Sequence, residues 1–166
     1  MKRCMLLVMA LIFVVGCRQE KGSLPEEIPA DFAFQVRYGF GDPPKNEINT
    51  YDGTVTKDLI ADGSVTTDIS FTQEELLDIY KQMRDLDIMG SKKLSSKSNS
   101  SSKIPYQTDS WKVTLDGTTK SFEWTDRYVT LTADARQLWE LRKWITMIVE
   151  EKEAYQALPD ASGGYD

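Results

Sequence analysis

FAFQVRYGF, residues 32–40, decides the fold. Phe32, Phe34, Val36, Tyr38 and Phe40 fall on one side of an extended chain, and Ala33, Gln35, Arg37 and Gly39 fall on the other. A period of two with one aromatic face and one small or polar face describes a strand covered on one side only. Antiparallel sheets tolerate water on their second face, so an antiparallel sheet is expected here.

The neighbouring sequence fits the same sheet. GDPPKNE, 41–47, reads as a loop, because Pro43 and Pro44 cannot donate to a ladder. Three Asp-Gly pairs follow, in TYDGTV (50–55), IADGSV (60–65) and TLDGTT (114–119), each flanked by β-forming residues. Asp-Gly suits a type I′ turn, so each predicts a hairpin. The strands are expected at 48–51, 54–60, 64–71, 106–115 and 118–125. Thr72-Gln73-Glu74-Glu75 has the spacing of a capping box and opens a helix running to about Asp87. A second helix is expected from about Ala133 to Tyr155, with Leu138, Leu141, Ile145 and Ile148 as its apolar stripe and Trp144 widening it. SKKLSSKSNSSSK, 91–103, is low in complexity and reads as a mobile loop. Residues 31–157 are thus expected to form a single α+β domain: a mainly antiparallel sheet of about five to six strands with two helices on one face. Residues 158–166, LPDASGGYD, read as an extended C-terminal tail.

The composition excludes several function classes. The 166-residue chain has no histidine, so Ser-His-Asp, Cys-His and HExxH chemistries are ruled out. Its two cysteines, Cys4 and Cys17, both precede the domain, which therefore has no internal disulfide. The formal charge is −6. Without residues 1–16 it becomes −8, from 18 basic and 26 acidic residues. An acidic domain is repelled by phosphate backbones, so no nucleic-acid partner is expected.

The first residues have the anatomy of an export signal. Lys2 and Arg3 precede an apolar run of 11 residues, Met5 to Val15, which is too short for a bilayer span of ~20 residues. The run closes on Val14-Val15-Gly16-Cys17, which resembles the bacterial lipobox. The resemblance implies a signal peptide over 1–16, a diacylglycerol-modified and palmitoylated Cys17, and attachment to the lipid bilayer from outside the cytoplasm. The location would be the cell membrane, or the outer membrane in a Gram-negative cell. Two or three acyl chains hold a protein stably where one does not. Residues 17–30 then carry the lipid and a flexible tether, with Gly22, Pro25 and Pro29 opposing regular structure.

Most apparent catalytic motifs have a simpler explanation. Ser100-Ser101-Ser102-Lys103 matches S-x-x-K only because it lies in a serine tract. Asp58, Asp62 and Gly63 start like a calcium loop, but Ile60 and Ile69 occupy positions that need oxygen ligands. Asp85 and Asp87 read as a solvated helix end, and Leu158-Pro159 lacks the rest of a sortase signal. No catalytic residue, metal site or cofactor is assigned.

NTYDGTVTKDL, 49–59, offers a polar recognition surface, with Tyr51, Thr54, Thr56, Lys57 and Asp58 near one hairpin tip and Trp124 as an added aromatic candidate. This stretch, Trp124-Thr125-Asp126 and the LP…GGY tail together resemble small secreted proteins and lipoproteins of Gram-positive bacteria. That likeness covers most of the mature chain and implies location and fold without an activity. The expected function is a membrane-anchored binding or interaction module, with an envelope protein as a candidate partner. The alternatives are a carboxylate-based envelope hydrolase and a small inhibitor of an exported enzyme. A binding module should present aromatic side chains such as Tyr38, Trp124 or Trp139 at its surface.

Overall fold

The computed structural model describes residues 24–95, 102–128 and 130–165. The expected signal peptide, Cys17, the first part of the tether and residues 96–101 of the Ser/Lys-rich loop lie outside them. The strands are β1 (Ala33–Phe40), β2 (Asn46–Asn49), β3 (Thr54–Ile60), β4 (Gly63–Asp68), β5 (Gln107–Leu115) and β6 (Thr118–Thr125). The helices are α1 (Gln73–Asp85), α2 (Ala133–Glu150) and α3 (Glu153–Gln156). The six strands form one sheet in the order β4-β3-β2-β1-β5-β6, with every neighbouring pair antiparallel. The α+β class and strand count expected from the alternation are therefore what the chain forms.

The alternation in β1 places Phe34 and Val36 in the core, opposite Val113 and Trp111 of β5. Ile48 and Val55 extend this face across β2 and β3, and Ile79, Tyr80, Met83, Leu138, Ile145 and Val149 cover it from the helices. The other face is polar apart from Ala33 and Gly39 of β1. Cross-strand neighbours make a row of Thr66, Thr56, Glu47, Arg37, Ser110 and Glu123, beside a second row of Asp68, Thr54, Asn49, Gln35, Lys112 and Ser121. Twelve polar residues in register are what a water-facing sheet requires.

β2 starts at Asn46, inside the expected loop, and stops at Asn49, two residues before its expected end. Three further details depart from expectation. All three Asp-Gly pairs turn hairpins, but only Asp116-Gly117 has positive φ at both residues, 51° and 70°, as a type I′ turn needs. At the other two the glycine alone is left-handed, with Gly53 at 67° and Gly63 at 81°, and Ile60 joins it at 64° beside a register shift in β3. The second helix also breaks. Lys152 adopts an extended backbone (φ −79°, ψ 133°) and sends its ammonium to both Glu75 oxygens, at 2.9 and 2.8 Å, so α3 starts anew at Glu153.

The third departure concerns segments read as loose. Leu24 and Ile28 pack against the core, and the Tyr80 hydroxyl donates to the Pro25 carbonyl at 2.7 Å. Residues 24–30 are thus held against α1. At the other end, Ser162 forms a parallel bridge with Ile60. The described ends of the Ser/Lys-rich segment are anchored as well: Lys92 donates to the Leu86 and Asp87 carbonyls just past α1, and the Lys103 amide donates to the Arg127 carbonyl at 2.9 Å.

Candidate functional site

The residues singled out at the 49–59 hairpin do not converge. Tyr51, Thr54 and Thr56 lie with the polar face. The Tyr51 hydroxyl is 2.7 Å from Thr114 Oγ1, and Lys112 Nζ sits 4.6 Å from the Tyr51 ring. Lys57, one residue on from Thr56, turns to the opposite side, where its ammonium is 5.3 Å from the Tyr155 ring of α3. Asp58 is buried and accepts from the amide of Ile60, two residues on, at 2.9 Å and from the Tyr165 hydroxyl. Trp124 is only 4% exposed and belongs to the core layer. The period of two, which makes the strand, sends Lys57 to the face opposite Thr54 and Thr56, and Asp58 sits where the register of β3 shifts.

Chemically diverse side chains do gather where Phe40 pairs with Gln107, at the far end of β1 and β5. Two clefts of about 280 and 270 Å³ meet there and share Gln107 as a wall. The first lies among Trp124, Trp139, Leu131, Lys103 and Asp126. Asp126 is fully engaged: Lys103 Nζ lies 2.6 Å from Oδ2 and the Gln107 amide donates to Oδ1 at 2.7 Å. The second cleft lies among Tyr38, Phe40, Asn46, Asp58, Arg142 and Tyr165.

Beneath them lies a buried ion pair absent from the sequence expectations. Arg142 of α2 donates from Nε and Nη2 to the two oxygens of Asp109 on β5, at 3.0 and 3.3 Å. Its guanidinium also stands 4.8 Å from the Tyr38 ring. Asp109 is completely buried, and burial pushes its carboxyl up to about 6 against the opposing pull of Arg142. Burial likewise raises the Tyr38 hydroxyl, and it lifts Tyr155 and Tyr165 to about 12, with the Asp58 carboxylate adding to the shift at Tyr165. At neutral pH these phenols are uncharged donors.

A sequence signal for the pair exists. Carrying the Leu115, Val113, Trp111 alternation two residues back reaches Asp109, and Arg142 lies four residues after Leu138 on the stripe of α2. Two opposite charges at two core positions point to a buried contact.

A larger furrow of about 480 Å³ runs between α1 and α2, lined by Leu86, Leu141, Trp144 and exposed polar side chains. It has no buried polar group comparable with Arg142. Among the described residues no group of three or more His, Cys, Asp or Glu side chains is placed to hold a metal ion, and no helix is long and apolar enough to cross a membrane.

The architecture is a two-layer sandwich, a six-stranded antiparallel sheet under helices with a polar-aromatic cleft at one end. Comparison with known proteins returns no matching family, no similar curated protein and no similar solved structure.

Proposed function

We propose that this chain is a lipoprotein anchored outside the cytoplasm through Cys17, and that its α+β domain is a binding module whose recognition site is the double cleft beside Gln107. The observation that carries this reading is the cleft's make-up: Tyr38, Trp139, the largely inward-turned Trp124 and the nearly buried Arg142 guanidinium line one concave surface around Gln107. Binding sites combine apolar walls with a few fixed polar groups in this way.

The polarity of the fold supports the tethered arrangement. The chain joins the domain at the sheet end carrying the 116–117 turn, where Asp31 accepts from the Asp116 and Gly117 amides. The cleft lies at the opposite end, seven register steps along β1 and β5, or roughly 23 Å at ~3.3 Å per residue. Residues 18–23 can add at most about 25 Å between Cys17 and Leu24. A domain held by its near end presents the cleft away from the lipid surface, toward partners in the envelope. The hydrolase alternative has less support, because Asp109 lines neither cleft and Asp58 is already bound by Tyr165.

The test is crosslinking in intact cells, followed by mass spectrometry of co-purified proteins, comparing the native chain with Cys17→Ser. One dominant envelope protein, captured by the native chain and lost with the variant, is the expected result. Equal background from both forms would overturn the reading.

A further inference from the structure

A peptide is already docked along the second cleft: the chain's own tail, whose Tyr165 forms one of its walls. β2 is short and pairs only with Thr54, Val55 and Thr56 of β3. On that side the rest of β3, through Ile60, has no strand beside it, although β4 pairs along its other side to the end. Residues around Ser162 take the vacant place. The Ser162 amide donates to the Leu59 carbonyl at 3.2 Å, and the Ala61 amide donates to the Ser162 carbonyl at 3.1 Å. Gly163 at φ 88° then bends the chain, where a Cβ would meet the Ala61 side chain at 3.4 Å. Tyr165 follows, its ring centroid 5.0 Å from that of Phe40 and its hydroxyl donating to Asp58.

We infer that the strip from Leu59 of β3 to Ala61 just past it, together with the Phe40–Asp58 pocket, is a docking site for an extended peptide carrying a phenolic side chain, kept closed in cis by residues 160–165. The inference rests on the binding-module reading and specifies the ligand class for one of its two clefts. Strand addition supplies sequence-independent backbone bonds, and a side-chain pocket supplies selectivity. Here the backbone bonds are those made by Ser162, and the pocket is the one filled by Tyr165. The phenol suits the pocket because Asp58 is buried and, with the Ile60 amide and the Lys45 ammonium on Oδ1, its Oδ2 takes its donor from the Tyr165 hydroxyl, which phenylalanine lacks. The tail competes at the high effective concentration of a tethered segment. A partner peptide therefore binds only in the fraction of molecules whose tail has left, and its apparent affinity is reduced accordingly.

The test is a titration with a fluorescent synthetic peptide of the sequence of residues 159–165. The proteins are the mature chain and its Tyr165→Ala and Ser162→Pro variants, the second lacking the amide that reaches Leu59. Both variants are expected to bind the peptide at least about ten-fold more tightly than the parent, by relief of the closed population. A peptide with Phe in place of its Tyr should bind more weakly. Equal affinity for parent and variants, or no binding to any, would overturn the inference. Should circular dichroism show both variants unfolded, hydrogen exchange on the parent decides. Excess peptide should speed exchange of the Ser162 amide while Ala61 stays protected, and unchanged exchange at Ser162 would equally overturn it. The two proposals fail separately: an empty crosslinking result removes the membrane-tethered partner and leaves the slot, whereas a failed titration leaves a partner to dock elsewhere.

Discussion

Asp109 and Arg142 show what one buried residue pair contributes to this molecule. Ion pairs inside a core often add little stability, because desolvation offsets attraction. Their geometry can still set register, and here it ties one position on α2 to one position on β5. The pair has a pH signature. The Asp109 carboxyl titrates at about 6 when folded and near its ordinary 3.8 when unfolded, so between those values the folded state binds the extra proton. Its contribution to stability is therefore full at low pH and falls as pH rises toward 6, by at most roughly 1.4 kcal/mol per pH unit. Glu47, Glu75 and Asp31 have lowered values and act in the opposite sense, losing stability on acidification at lower pH. The window from pH 5 to 7 isolates Asp109. Urea unfolding across it should show the parent losing stability up to about pH 6 and then levelling off, with Asp109→Asn flat throughout. Arg142→Gln should shift the fall to higher pH, because the guanidinium now opposes the upward push of burial.

At the scale of elements, the ends are specified as carefully as the middles. Thr72 accepts from the Glu75 amide at 3.2 Å while Glu75 Oε2 accepts from the Thr72 amide at 2.7 Å, and Thr132 caps α2 alone through the Ala135 amide. Thr72→Ala should cost about 1 kcal/mol in chemical denaturation, the usual loss of an N-cap. The turn at Asp116-Gly117 is open around Gly117, where a Cβ would touch nothing within 4 Å. Gly117→Ala should thus cost only the left-handed backbone penalty, ~1 kcal/mol, with no steric component. A much larger loss would mean that the turn has tertiary contacts beyond those to Asp31. These elements were legible in the sequence because their signals are local. The break after Glu150 was not, since the side chain that stabilises it, Lys152, finds its partner 77 residues away at Glu75.

At the scale of the whole molecule, two terminal segments fasten opposite ends of the sheet. Residues 24–30 lie along α1 through Leu24, Ile28 and the Tyr80–Pro25 bond. The tail closes the cleft end through Ser162 and Tyr165. Tyr80→Phe keeps the ring against Phe32, 5.2 Å away, and removes only the hydroxyl. It should lower stability by about 1 kcal/mol, the net worth of one hydrogen bond. Amide exchange should quicken at Phe32, whose amide closes the turn on Pro29, while the amides of β5 stay protected.

The sequence by itself determined the sheet, its hairpins, both main helices and the side of β1 that is buried. Each of these follows from a period of two or 3.6, a cap or a turn dipeptide, and such signals act within a few residues. Tertiary structure alone decided which polar groups meet. It split the 49–59 hairpin between two faces, drew Asp109 to Arg142, turned Trp124 inward and brought Tyr165 to Asp58 across 107 residues of chain. Charge and aromatic composition do not encode those meetings. They depend on which strand lies beside which and where each element stops, and only the packed sheet settles that.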